Sequence, residues 1–350
     1  ATTAGLSQVD EGDEISVRGS RSNGTDIYVD GIRVNSSAVQ STDIEQLQVI
    51  TGGIPANYGD VTGGIISITT KGPSSKFTGG VEVETSEFLD AYGYNDFRAF
   101  VSGPILKKKT GESILGFRFS GNYIARKDDD APAVDVFVVK DEKLRELEEN
   151  PIERIGNAKV PSADRLTNDD VDNMNYRPNE ESSILNLTGK IDARLSKSVD
   201  ITLTGAYVDQ QNKFTPGGWR LMNSHNNPTV YNDRYRGNFR FRHRLGGGAS
   251  DEAEGEEGTK KPSFIQNAEY ILQFGYEHGF ETRYDPRHED RMFDYGHVGR
   301  FDYEWEPAFE GEFDEVTQTF VISHVDYTQF LTDYNSDNSK NPVLSNYNKS

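Results

Sequence analysis

Residues 44–73 of the chain read IEQLQVITGGIPANYGDVTGGIISITTKGP. Two glycine pairs, Gly52-Gly53 and Gly63-Gly64, and a third turn at Tyr58-Gly59-Asp60 sit between two short β-branched apolar runs. Glycine adopts positive φ freely, so this spacing predicts tight turns between short extended segments, a compact folding unit. Asp43 is placed to cap one helical turn, residues 47–51 to extend as a strand ending at the first glycine pair, and residues 65–70 (IISITT) to form another strand. Upstream, residues 15–17 and 27–29 predict a hairpin with Ser22-Asn23-Gly24 as its turn, and Asp30-Gly31 is a second turn before residues 32–34. The first 75 residues therefore read as a small mixed α+β unit.

From Phe77 onward the pattern changes to long alternation. Phe77, Gly79, Val81 and Val83 alternate with Lys76, Thr78, Gly80, Glu82 and Glu84, and Leu115, Phe117, Phe119 and Tyr123 alternate with Arg118, Ser120 and Asn122. Residues 185–195 and 199–207 repeat it, with Lys190, Asp192 and Arg194 opposite Leu187, Ile191 and Leu195, while residues 268–280 and 318–326 carry it less cleanly. Each predicts a strand with one apolar face. The clearest is residues 234–245, RYRGNFRFRHRL, where Arg234, Arg236, Asn238, Arg240, Arg242 and Arg244 fall opposite Tyr235, Phe239, Phe241, His243 and Leu245. At about 100° per residue these arginines would scatter around a helix, so only a strand separates the two sets. Such a row is either a solvated sheet face or the lining of a water-filled lumen; the bulk of the aromatic side fits lipid contact.

The connections alternate too: short turns at 107–111 and 196–198, long excursions at 126–182 and 209–232, the rhythm of an outer-membrane barrel. Within the first excursion residues 141–149 (DEKLRELEE) predict a short helix with Leu144 and Leu147 on one side, stopped by Pro151. Residues 246–261 are low in complexity and fall where the alternation calls for a short turn.

Composition bounds the rest. Of 350 residues 34% are apolar and 27% charged, too few apolar groups for a large conventional core. Strands that need an apolar residue only at every second position are compatible with that. No run approaches the roughly 18 consecutive apolar residues of a membrane-spanning helix, so a membrane role falls to a β-barrel or a surface protein. A formal net charge of −20 argues against a nucleic-acid partner, whose phosphates need a cationic face. The absence of cysteine excludes disulfides, thiolate zinc sites and cysteine nucleophiles. The opening ATTAGL has neither the basic nor the apolar region of a signal peptide, which predicts a removed leader or a chain that begins partway through a longer protein.

Motifs for catalysis are missing. No GxxxxGK[ST] follows the glycine pairs, so they are assigned to turns and close packing and not to a phosphate cradle. The six histidines include no HExxH spacing, and His288-Glu289-Asp290 reads as a solvated loop. Acidic runs at 128–130 and 251–257 lack EF-hand spacing. No serine sits in a GxSxG elbow and no carboxylate pair stands out, so the chain is read as a non-enzyme without cofactor or metal.

The order of VRG at 17–19, YVDGIRV at 28–34, IEQLQVITGG at 44–53, YGD at 58–60, the glycine pair at 63–64 and ISITTKG at 66–72 resembles the latter part of the plug domain of TonB-dependent outer-membrane receptors. The versions here look closest to receptors of Bacteroidota, and residues 293–301 and 341–347 are similar to barrel segments of that group. The resemblance implies a mainly β fold: an α+β plug domain, its C-terminal part at residues 1–75, followed at 76–350 by the first strands of an antiparallel barrel of about 22 strands with long extracellular loops. Only about seven to nine such strands are readable, so the chain is expected to lack the start of the plug, a TonB box and the later strands. Arg18, Gly19, Tyr28, Asp30, Gly31, Gly52, Gly53, Tyr58, Gly59, Gly63 and Gly64 carry the plug motif. Arg234, Arg236, Arg240, Arg242 and Arg244 become lumen-facing, with Asp43, Glu45 or Asp60 as counter-charges. Arg18 and Asp30 either pair with lumen-facing groups or satisfy turn backbone and water. The implied function is ligand uptake through the outer membrane, coupled to the periplasmic TonB protein. The alternative is a structural subunit of an outer-membrane assembly or secretion complex. Outer-membrane lipids and a surface lipoprotein are the further partners this suggests, and the ligand is not readable.

Overall fold

The computed structural model describes residues 6–7, 16–17, 24–34, 39, 41–55, 58, 61, 63–245 and 268–350. In chain order the first strands are β1 (Leu6–Ser7), β2 (Ser16–Val17), β3 (Thr25–Val29), β4 (Ile32–Val34), β5 (Ile44–Ile50) and β6 (Gly64–Thr70). Three long strands follow, β7 (Thr78–Thr85), β8 (Asn95–Lys107) and β9 (Ser113–Arg126). Short elements come next: β10 (Val136–Val139), α1 (Asp141–Glu149), β11 (Ile152–Ile155), β12 (Ala158–Pro161) and β13 (Val171–Met174). The chain then returns to long strands, β14 (Ser182–Arg194), β15 (Val199–Lys213), β16 (Thr229–Leu245), β17 (Ala268–Tyr284), β18 (Gly299–Asp314) and β19 (Thr319–Ser336), before α2 (Pro342–Lys349). These elements group into two compact units, one of residues 1–130, 180–213 and 230–283, the other of 131–179, 214–229 and 284–350.

The first unit holds the β1–β2 pair and two larger sheets. Its small sheet runs β4-β3-β6-β5, with β3 parallel to β6 and antiparallel to β4, and with β5 antiparallel to β6. β6 is central and covered on both sides, so its apolar residues run together instead of alternating: Ile66 and Ile68 pack with Val29 and Val34, and Ile65 is fully buried. Asp30 (φ 50°) and Gly31 (φ 85°) close the β3–β4 hairpin in the two-residue left-handed turn that suits paired, twisted strands.

Several expectations shift here. Residues 16–17 pair with β1, not with residues 27–29, because β3 is already taken on both edges by β4 and β6. Asp43 closes a short 3-10 turn, Ser41–Asp43, instead of capping a helical turn, and β5 starts directly after it at Ile44. Gly53 lies in an exposed turn with φ of 63° and open space around it, so backbone conformation and not close packing calls for glycine there.

The large sheet has the order β17-β16-β15-β14-β9-β8-β7. Register puts Gly80, Phe100, Ser120, Thr188 and Ala206 in one cross-strand row facing the small sheet. The opposite face carries Val81, Val101, Phe119, Leu187, Leu203, Tyr235 and Phe239, all more than two-fifths exposed. Residues 108–112 and 195–198 form its short turns, while 86–94, 127–181 and 214–228 are the longer connections; the last is shorter than the expected 209–232 because β15 and β16 extend into it. The low-complexity segment 246–261 lies outside the described residues. β8 escapes simple alternation because Phe100 faces inward and register shifts occur between Pro104, Leu106 and Lys107.

The second unit contains the pairs β10–β13 and β11–β12, both helices and the β18–β19 hairpin. Helix α1 spans the expected residues and buries Leu147; the Asn346 side chain of α2 donates to the Glu148 carbonyl at 3.0 Å. Residues 341–347, likened above to a barrel segment, belong to α2, whose N-cap Asn341 accepts from the Leu344 amide with Pro342 in the first turn. Of residues 293–301 only the end enters β18; Met292–Asp294 is a 3-10 turn. Along β18–β19 the partners Tyr303 and Leu331, Pro307 and Tyr327, and Phe313 and Phe320 share one face, whereas Asp302, Glu304, Glu306, Glu310 and Glu312 occupy the other.

Candidate functional site: two carboxylates held by adjacent cations

Where the small sheet meets the large one, the chemistry concentrates on two cations. Arg118 on β9 and Lys190 on β14 are direct cross-strand neighbours on the face turned to the small sheet. Like charges in that relation destabilise a sheet unless something intervenes. Here each receives a carboxylate from the small sheet.

Arg118 donates to Asp43 Oδ1 through Nε at 3.1 Å and through an Nη at 2.8 Å, and its guanidinium lies 4.7 Å from the centre of the Phe100 ring. Ser120 donates to the other oxygen of Asp43. Both members are buried, with side-chain exposures of 9% and 3%, so the pair stands outside solvent screening. The 3-10 turn presents Asp43, and the Lys71 amide, donating to the Asp43 carbonyl at 2.8 Å, ties that turn to the end of β6.

Lys190 donates to the Thr70 carbonyl at 3.1 Å and to Thr70 Oγ1 at 3.0 Å, and stands 3.5 Å from Asp30 Oδ2. Asp30 in turn accepts from the Thr70 amide at 2.9 Å and hydroxyl at 2.6 Å. The Asp30 side chain therefore meets a cation of the large sheet, and the backbone it satisfies is that of Thr70 at the end of β6 and not that of its own turn. On the neighbouring strands Gln273 donates to the Asp30 carbonyl at 2.7 Å, and a Cβ on Gly275 would collide with the Ile32 side chain, so glycine lets the hairpin approach β17. A small cavity lies between the sheets beside Val29, Thr70 and Arg236.

The arginine row of β16 is placed on the face turned to the small sheet, but its partners differ from those expected. Arg236 and Arg234 meet Glu277 of β17 at 3.2 and 3.8 Å; Arg242 meets Asp200 of β15 at 2.6 Å, and Arg244 meets Glu269 at 3.1 Å. Arg240 is half-buried on the same face. Neighbouring strands thus supply the counter-charges that were sought in the small sheet, because Asp200 on β15 and Glu269 and Glu277 on β17 stand on the strands directly paired with β16. Asp43 serves Arg118 instead, Glu45 is exposed, and Asp60 lies outside the described residues, as do Arg18, Gly19 and Gly59.

The other motif residues hold the small sheet together. Tyr28 and Tyr58 meet edge to face with ring centres 4.8 Å apart, and burial, with Asp26 alongside, pushes the Tyr28 hydroxyl above its ordinary pKa. Gly63 donates to the Gly24 carbonyl at 2.9 Å and Gly64 is buried beside β3, while Gly52 is exposed in the turn after β5. Sequence reasoning counted Arg118 and Lys190 only as the polar half of an alternation. The usable signal was a long cation in mid-strand on the polar face, beside Ser120 and Asn122 along β9 and between Thr188 and Asp192 along β14. Among the described residues no helix is long and apolar enough to cross a membrane, a statement that does not bear on strands, and no group of three His, Cys, Asp or Glu could hold a metal.

Residues 2–65 match the family of the TonB-dependent Receptor Plug Domain. No curated protein matches the chain. Similar solved structures include the siderophore receptor PirA from Acinetobacter baumannii, at 18% identity and a TM-score of 0.42 over 76% of this chain and 38% of that one. PirA from Pseudomonas aeruginosa has 16% identity and a TM-score of 0.46, over 87% of this chain and 38% of that one. A variant of the ferric enterobactin receptor PfeA from Pseudomonas aeruginosa, in complex with enterobactin, has 16% identity and a TM-score of 0.41 over 66% and 34%. The chain therefore spans little more than a third of the length of these structures.

Proposed function

We propose, from a chain whose residues 2–65 match a TonB-dependent-receptor plug domain, that this is part of an outer-membrane receptor that takes up a ligand through a plugged β-barrel, with energy supplied through periplasmic TonB. In this reading residues 1–75 are the C-terminal part of the plug and residues 76–350 begin the barrel. The observation that carries it is the pairing of Arg118 and Lys190 with Asp43 and Asp30. Two adjacent cations on one sheet are compensated by two carboxylates on another, so the small sheet fits as a removable insert whose departure has a definite electrostatic cost. The two-faced large sheet supports the same reading, with polar groups toward the insert and exposed Val, Leu, Phe and Tyr toward lipid.

The test uses the full-length parent protein in its own cell. Deletion should abolish uptake of at least one member of a panel of ferric siderophores, cobalamin, oligosaccharides and peptides, and the purified protein should bind TonB. Unchanged uptake of the whole panel together with no TonB binding would replace this reading by that of a structural subunit of an outer-membrane complex.

A further inference from the structure

Two adjacent turns at one end of the large sheet carry a charge that the rest of the protein does not predict. In a chain of net charge −20, Lys107 at the end of β8 and Lys108 and Lys109 in the turn after it come together, and Arg194 at the end of β14 and Lys197 in the turn after that strand stand beside them. All five are exposed, and β9 pairs with β14, so the two turns lie side by side. Among the carboxylates nearby, Glu112 meets Lys108 at 2.9 Å and Asp200 is the cross-strand partner of Arg194. Lys108 holds the Glu112 carboxyl below its usual range, and Lys197 and Arg194 from the other turn push it further in the same direction, so the two turns share one positive field. At the opposite end of the same strands the β7–β8 connection, residues 86–94, contains Glu87 and Asp90 and no lysine or arginine.

The cations do not stand on a polar surface. Ile105, Leu106 and Leu195, which flank them, are 52%, 56% and 62% exposed, continuing the apolar side of the sheet up to the charged rim. Exposed aliphatic groups directly below a cationic band match a surface whose lower part meets acyl chains and whose upper part meets phosphate.

We infer that the two adjacent turns form a binding site for the phosphate headgroup of an anionic phospholipid, with Ile105, Leu106 and Leu195 against its acyl chains. This rests on the reading of the large sheet as membrane-spanning. Such a site would fix the depth and tilt of these strands in the leaflet and would be specific to this end of the sheet.

The experiment reconstitutes the full-length protein into phosphatidylcholine bilayers containing a trace of spin-labelled phosphatidylglycerol or spin-labelled phosphatidylcholine, and reads the fraction of each probe immobilised by the protein. Each cation near such a surface shifts occupancy by up to about fivefold at low salt, so an overall preference for phosphatidylglycerol of about tenfold is expected. The combined variant Lys107→Gln, Lys108→Gln, Lys109→Gln, Arg194→Gln and Lys197→Gln should bring it close to unity. Replacing the four lysines by arginine should retain it, which separates lost charge from lost folding, and Lys159→Gln with Arg165→Gln should leave it unchanged. Equal immobilisation of both probes by the unaltered protein, or a preference that survives loss of all five cations, overturns the site while leaving the membrane reading intact. Immobilisation of neither probe overturns both. Capture of an acidic protein at these turns without any lipid preference also overturns it.

Discussion

Arg118 and Lys190 show how a residue's role depends on its cross-strand neighbour. Alone, each would be a cation on the wet side of a strand; side by side they repel and need compensation. Asp43 is committed to Arg118 and Ser120 with almost no exposure, so removing the guanidinium leaves a buried carboxylate with one hydroxyl donor. Arg118→Gln is expected to destabilise the full-length protein by about 3–5 kcal/mol. Asp43→Asn should cost a similar amount, and the double variant should cost clearly less than the sum, a coupling readable from denaturant midpoints of the folded protein in detergent. A loss below about 1 kcal/mol for Arg118→Gln would mean that the pair contributes no more than an exposed ion pair does.

At the scale of elements, the long strands have two solvents. β14 places Thr188 and Lys190 toward the small sheet and Leu187 on the other side, 46% exposed at mid-strand. On a water-facing sheet a polar replacement at such a site would change stability by about 0.5 kcal/mol or less. At the centre of a bilayer a lysine costs about 2–4 kcal/mol. Leu187→Lys should therefore slow or reduce folding of the full-length protein into phosphatidylcholine vesicles, measured by heat-modifiable gel mobility, whereas Leu187→Ala should have a much smaller effect. Equal yields for the two variants would argue that this face meets water. The β18–β19 hairpin divides its residues in the same way, aromatic on one face and acidic on the other, although it belongs to a different compact unit.

For the molecule as a whole, the question is whether the small sheet must separate from the large one during uptake. The absence of cysteine makes this accessible, since an engineered pair has no native thiol to compete with it. Ile32 and Gly275 are in close contact across the two sheets. Ile32→Cys combined with Gly275→Cys should yield a tether that blocks uptake under oxidising conditions and releases it on reduction, with either single variant unaffected by oxidant. Full uptake by the oxidised double variant would show that the hairpin stays against β17 while solute passes.

The strand-rich character, the two-faced strands, the Asp30-Gly31 turn and α1 are all legible in the amino-acid order, because each is written in a local rule: period-two alternation, a left-handed glycine, a helix stopped by proline. It also placed the arginines of β16 on one face, since alternation along a strand fixes the side a residue takes. It did not determine who pairs with whom. Glu277 and Asp200 rather than the small sheet compensate those arginines, and Asp43 and Asp30 compensate Arg118 and Lys190, across separations of 75 and 160 residues. The glycine pairs of residues 44–73 divide in the same manner: the turns were legible, but that Gly53 stands in open space while Gly64 is buried beside β3 was settled only by which strands lie next to each other. Local chemistry chooses the face of a strand, and sheet order and register, set by contacts distant in sequence, choose its partners.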